Sequence, residues 1–518
     1  MRALSIACSL VLVAACGSST GGGESGAAGS TGGTETSGHG TSTGSGTSGE
    51  STSSASGSSG TDTGTPPGTY PPIHIVFNAH GHNYAFPPGT DPASPEFAML
   101  KAQRYQAHRA EVIWLRDTTE SFGAKMSFQL NGEYARDARI AGDAEHVAEL
   151  PGRGHSVGTH FHRYVFTGMD EYWRPYTQQE ATAELQSQTW ADHIGEVEAA
   201  LGAEILRVDG ATASQEQLDI ADTLLVDYGV GLAAGGEALT YTDWAIPPWN
   251  PFRRAFGTRT SEDPAAPVVA LGGYSQIGLP MPMGLHAMLT TVPQLERHFL
   301  MLLAEWREHE RRGDPPKIWH FAFMTHPDQN AAYHDEVVEF LEFLSAYTEA
   351  ETPRGTPVAR FATDEEVLEA FLDWEAEHPG ASSFDFDYEA HLAGQTQPFP
   401  YALEGVVSGL KDCEVVGAPI TTWEDQGVVV FPMARREVLR GPPNEYGQRE
   451  ILSVGDLVAD VYLAWSDAGA PVTIDLSDRI GATAYVKDGR TGEVTMVAAT
   501  AVEIPETPVV LSDTSDGL

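Results

Sequence analysis

GAKMSFQLNG at 123–132, followed by ELPGRGHSVGTHFH at 149–162, decides how the rest of this chain is read. Each segment holds a short apolar run of strand length, and an amphipathic stretch of helical spacing lies between them. The second strand ends on His160 and His162. Side chains two apart on a strand share a face, so both imidazoles are expected on one side. Earlier, the apolar run IHIVFNA (73–79) leads into HGH and places His80 and His82 at the same spacing. Neutral imidazole is the commonest zinc ligand, and three such ligands with one open position make a catalytic site. A lone histidine is more often a surface or hydrogen-bonded structural residue. Here the weight comes from two pairs that both end strands.

Outward from this core, residues 70–378 alternate strand candidates with longer helical patterns. ILRVDGA (205–211), VGLAAGG (230–236), VVALGGYSQIGLP (268–280) and IWHFAFMTHP (318–327) read as strands, separated by helical runs such as 179–202 and 292–313. Repeated units of this kind imply an α/β fold with parallel strands, and a chain this long is expected to close them into a barrel with its functional groups at the C-terminal strand ends. His80, His82, His160, His162, Asp209 and His326 all fall at such ends. An open doubly wound sheet would place them similarly. From 395 to 518 the pattern becomes Pro-rich turns and short alternating strands, which predicts a small all-β sandwich.

The first 16 residues, MRALSIACSLVLVAAC, combine a basic start, an apolar stretch and VAAC, which is similar to the lipobox of bacterial lipoprotein signal peptides. Lipidation at Cys16 would leave the chain anchored in a bacterial cell envelope, because the apolar stretch is too short to span a bilayer. Residues 17–69 are mostly Gly, Ser, Thr, Ala and Glu, with no aromatic residue before Tyr70. Such a segment cannot bury enough to offset the entropy of ordering and reads as a tether. Of three cysteines, Cys413 alone follows the signal and reads as a buried structural thiol. With 72 acidic against 30 basic residues and a net charge of −42, the surface disfavours nucleic acid and anionic polymers as partners.

In the order of its pieces, this chain resembles the polysaccharide deacetylase superfamily over residues 72–375. GAKMSFQLNG and GRGHSVGTHFH look like the second strand and metal-histidine motif of that family. LRVDGAT (206–212), YTDW (241–244), MTHP (324–327) and PVARFATDEEVLEAF (357–371) occupy the places of its later motifs. The resemblance implies a distorted (β/α) barrel of the glycoside hydrolase/deacetylase type and a divalent metal, with hydrolysis of N- or O-acetyl groups on carbohydrate. The family's first motif carries two adjacent aspartates where this chain reads FNAHGH, and its second metal histidine falls on Tyr164 here. With substitutions, the implied site is zinc on His80, His160 and His162, and His326 as proton donor to the leaving group. Asp209 or Asp243 then serves as base or orienting group, and Arg207 steadies a neighbouring carboxylate. His82 is a further ligand, a supporting residue beside the ligands or a surface residue, and Asn78 can only exchange hydrogen bonds. WAIPPWNPFRRAF (244–256) offers Trp249 and Phe252, flanked by Arg253 and Arg254, as a sugar-stacking surface or as a loop packed on the barrel rim. Two competing readings are a glycosidase on a related barrel, which needs two opposed carboxylates, and a surface carbohydrate-binding protein without catalysis.

Overall fold

The computed structural model describes residues 70–84, 86, 89–160, 162–168, 172–209, 226–228, 249–253, 262–266, 268–271, 274–277, 291–327, 333–381, 383–384, 401–443 and 449–518. Cys16, the tether at 17–69 and Asp243 lie outside them.

Three parallel strands form the centre of the first region: β1 (Ile73–His80), β2 (Ser127–Leu130) and β3 (Ser156–His160). α1 (Pro95–Ser121) connects the first two, and α2 (Gly132–Ile140) and α3 (Glu145–Ala148) connect the next. A short hairpin of β4 (Tyr164–Phe166) and β5 (Trp173–Pro175) precedes α4 (Ala183–Leu201). Then come β6 (Arg207–Asp209), β7 (Val226–Tyr228), β8 (Phe252–Arg253), β9 (Val269–Leu271), β10 (Tyr274–Gln276), β11 (Trp319–Thr325) and β12 (Ala359–Ala362). The sheet order is β10-β11-β1-β2-β3-β6-β7-β9-β8, with β12 also paired to β1, and every pairing is parallel except β8 with β9. The expected parallel α/β sheet is therefore present, and among the described residues its strands form one open path from β10 to β8.

Every residue of β1 is buried, as a central parallel strand covered on both faces requires. Its alternation sorts the two faces. Ile73, Ile75, Phe77 and Ala79 join the large core shared with the helices, whereas Val76 packs with Ala322, Met324, Val269 and Ala362 on the other side. His74, Asn78 and His80 share the face of Val76 by the two-residue period. The register His74↔His320, Val76↔Ala322 and Asn78↔Met324 carries this layering onto β11. The last layer, at the C-terminal strand ends, is made of histidines.

At the opposite end of this face, the His74 ring donates from Nδ1 to the Trp319 carbonyl at 3.0 Å and accepts at Nε2 from Arg360 at 2.6 Å. Burial first, then the Arg360 charge, hold its pKa down at about 4 from 6.5. Between those values the unfolded chain binds the extra proton, so the stability from a neutral His74 is complete above about pH 6.5 and is lost as pH falls toward 4. The loss is at most roughly 3 kcal/mol at about 1.36 kcal/mol per unit. His74→Gln keeps one donor and one acceptor without titrating, so its melting temperature should fall less than that of the wild type from pH 7 to 4.5. Equal slopes would remove His74 as a source of acid sensitivity.

The C-terminal strands are antiparallel, as expected. β13 (Cys413–Val415), β14 (Val428–Pro443), β15 (Arg449–Ser466), β17 (Thr483–Asp488), β18 (Val494–Ala498) and β20 (Val509–Ser512) form one sheet in the order β13-β14-β15-β20-β17-β18, and β16 (Val472–Ile474) pairs with β19 (Val502–Ile504). Alternation divides the larger sheet. Val430, Tyr462, Ala464 and Leu511 pack with Ile474, Val502 and Ile504 as a sandwich. Phe431, Met433, Val461, Leu463 and Trp465 instead join the core of the first region.

The helix Val292–Arg312 lies under that second face and is buried almost all round, including Arg307, Glu305 and Glu308. Glu305 accepts the backbone N–H groups of Ala402 at 2.7 Å and Leu403 at 2.9 Å, while Arg307 pairs with Asp467 and Glu308 with Arg490. One continuous core thus crosses the expected boundary between the two regions. Cys413 is buried here, and burial pushes its thiol up to about 11, which makes it an inert packing residue. No described helix is long and apolar enough to cross a membrane.

Candidate metal centre

Five imidazoles gather where β1, β3 and β11 end. His82 lies with its ring centroid 5.3 Å from His160, 4.9 Å from His162 and 4.3 Å from His326. Ligating atoms of His82, His160 and His162 all fall within 4.8 Å of one another. The Nε2 atoms of His160 and His162 are 3.2 Å apart. Tetrahedral zinc with bonds of 2.0–2.1 Å holds its ligand nitrogens about 3.3 Å apart, so this pair already has the spacing of two ligands on one ion. Three nitrogen donors without a carboxylate suit zinc or a neighbouring late divalent metal, and the residues present fit such an ion.

The expected ligand set named His80 in the place His82 occupies. The His80 ring stacks on His160, centroids 4.4 Å apart at 16°. Stacked rings hold their in-plane lone pairs nearly parallel, so these two cannot converge on one ion. The convergent set among the described residues thus holds His82 where the expected set named His80, and His80 lies stacked against His160. His82 gets its position from a turn. Gly81 donates its N–H to the Gln129 carbonyl at 2.7 Å, and a Cβ at Gly81 would lie 3.2 Å from that oxygen and 3.3 Å from the Asn131 nitrogen. Asn131 caps α2 by accepting from the Tyr134 N–H at 2.9 Å and donates from Nδ2 to the His82 carbonyl at 2.6 Å.

His193 in α4 anchors the other side. Its Nδ1 accepts from the Gly132 N–H at 2.9 Å, which leaves the proton on Nε2 to meet the Tyr164 carbonyl at 3.2 Å. Tyr164 in turn donates its N–H to the His162 carbonyl at 2.9 Å. Burial holds the His193 pKa down at about 3, so the ring stays neutral and keeps both bonds. Gly132 leaves no room for a side chain, since a Cβ there would stand 2.7 Å from the Trp173 ring and 2.9 Å from the His193 Cα. Below His80, the Asn78 Oδ1 accepts from Gln129 Nε2 at 3.1 Å, a neutral amide pair on the strand that carries the aspartates in the resembled family.

The remaining expected residues divide. His326 follows β11, is buried, and lies 4.3 Å from His82 and 5.6 Å from His80 by ring centroid. Asp209 is placed by backbone register opposite His160, with Arg207 two positions earlier in the same strand. Trp249 requires a correction. It is fully buried, donates its backbone N–H to the Tyr401 hydroxyl oxygen at 2.6 Å, and packs its ring 4.5 Å from that of Tyr401. Phe252 is equally buried, and Arg253 forms a two-point pair with Glu375 at 2.6 and 2.7 Å. These residues pack the rim of the sheet and offer no stacking surface to a sugar. Asn131, His193 and Glu133 are supporting residues that strand and helix patterns leave unmarked, although Asn131 before Gly-Glu is a legible helix cap.

No family model and no curated protein matches this chain. Among solved structures it is similar to a putative polysaccharide deacetylase from Mycobacterium smegmatis, at 13% identity over 60% of this chain and 96% of that one with a TM-score of 0.34. It is similar to the Puue allantoinase at 12% identity, over 60% and 91% of the two chains, with a TM-score of 0.37. A probable polysaccharide deacetylase from Pseudomonas aeruginosa PAO1 gives 13% identity, 60% and 92% coverage and a TM-score of 0.36. These TM-scores lie below 0.5, so the fold rests on strand order and register, and the site on its imidazole geometry.

Proposed function

We propose that this protein is a metal-dependent hydrolase that removes acyl groups from a carbohydrate, held at a bacterial cell envelope through lipid on Cys16. The observation that carries the reading is the convergence of His82, His160 and His162 at C-terminal strand ends, within 4.8 Å of one another. The sequence order GAKMSFQLNG to GRGHSVGTHFH supports the class of reaction by its resemblance to the deacetylase motifs.

When bound, a divalent ion would supply Lewis acidity and an activated water near neutral pH. The three histidines would hold it through ring nitrogens. His80 keeps His160 from rotating by stacking against it. His326 is close enough to hand a ring N–H proton to the departing amine or alcohol. Asp209, in backbone register with His160, is one candidate carboxylate for a base or orienting role, with Asp243 as the second.

One observation favours the non-catalytic carbohydrate-binding reading as an alternative. The strand position below His80 holds Asn78, which cannot accept a proton as a general base. The glycosidase reading needs two opposed carboxylates, for which Asp209 and Asp243 are the candidates. The test is acetate release from acetylated sugar oligomers by the full chain with zinc, after chelation, and after zinc is restored. Release that follows the metal supports the hydrolase. Stoichiometric zinc with no release from any acetylated glycan moves the assignment to the binding protein, and release indifferent to chelation overturns the metal reading.

A further inference from the structure

Beyond the end of β1 the chain no longer follows the sheet, and His82 depends on the turn Gly81–Tyr84 for its place. Glu133, at the second position of α2, closes this turn. Its Oε2 accepts from the Asn83 Nδ2 at 3.0 Å and from the Tyr84 backbone N–H at 3.0 Å. With the Gly81 and Asn131 bonds, both edges of the turn are tied to one strand and helix start. The carboxyl is wholly buried, where a leucine would pack without the cost of desolvating a polar group. Two bonds to the turn and the nearby Lys101 charge act against that cost.

We propose that Glu133 is a positioning residue of the metal centre, its buried oxygen gathering Asn83 and Tyr84 so that the turn holds His82 beside His160 and His162. The consequence for metal binding rests on the metal reading above, while the clamp itself does not. Burial pushes the Glu133 pKa up to about 8, against the bonds from Asn83 and Tyr84 and the Lys101 charge, so the group is mostly neutral at pH 7. What the turn needs is an accepting oxygen, not a charge. Glutamine supplies that oxygen; leucine fills the same space without it.

The experiment compares the full-length wild type with Glu133→Gln and Glu133→Leu by zinc titration and by amide hydrogen exchange over residues 81–84 without metal. Glu133→Leu should weaken zinc binding about 10- to 100-fold, the range for partners that orient ligands, and should speed exchange at Tyr84. Glu133→Gln should restore both. A leucine variant with wild-type affinity and protection overturns the proposal, as does a glutamine variant that loses as much as leucine. If the wild type takes up no zinc, the metal reading fails and exchange alone decides the clamp. Should the leucine variant not fold, Asn83→Ala removes one of the two bonds from the other partner, and unchanged exchange in that variant overturns the clamp.

Discussion

His82→Ala weakens zinc binding by about a hundredfold, whereas His80→Phe leaves it nearly unchanged. The size of the first effect follows from structural zinc sites, where about 10–16 kcal/mol spread over four ligands gives roughly 3 kcal/mol for each. The direction of the contrast follows from the rings. His82 contributes one of three nitrogens that lie within 4.8 Å of one another, while His80 presents a flat face to His160 at 4.4 Å. Phenylalanine at 80 keeps a ring on that face and removes both nitrogens. A competition titration against a chromophoric chelator, on variants whose melting temperatures match the wild type, reads both. Loss of binding in His80→Phe with retention in His82→Ala would restore the ligand set implied by the family resemblance.

That contrast also locates the limit of what the sequence carries. His160 was legible because it ends a strand whose two-residue period and Gly punctuation are plain in GRGHSVGTHFH. The parallel strands were legible for the same reason, since strands covered on both faces read as short apolar runs between helical patterns. His80 entered the ligand set as the substitute for the carboxylate of the resembled family, and the two-residue period cannot choose between His80 and His82 because it stops having meaning where the strand ends. The segment that follows is held by Gln129, Asn131 and Glu133, about fifty residues away, and no local pattern encodes those contacts. Trp249 failed similarly. An aromatic between prolines and arginines suits a sugar surface, yet its burial depends on Tyr401, 152 residues later. The antiparallel C-terminal strands were legible from alternation, but alternation marks both faces alike and cannot tell which meets the helix Val292–Arg312.

His326→Ala lowers the rate of acetate release by about two to four orders of magnitude, the usual contribution of one positioned general acid. β11 and β1 run in register through Ala79↔Thr325, so His80 and His326 leave the sheet at the same level. There the His326 ring lies 4.3 Å from His82 yet is not among the three residues whose ligating atoms converge. Its loss should therefore slow turnover without emptying the site: zinc content stays at the wild-type value while kcat falls and KM changes little. His326→Gln separates proton transfer from hydrogen bonding, because an amide can donate to the leaving group but cannot give up its proton at neutral pH. It should be nearly as slow as the alanine variant. A glutamine variant at the wild-type rate would leave His326 as a hydrogen-bond donor only, and the leaving group would then need its proton from water or from one of the aspartate candidates. A fall in zinc content that parallels the fall in rate would instead make His326 a fourth ligand and close the position that catalysis requires to be open.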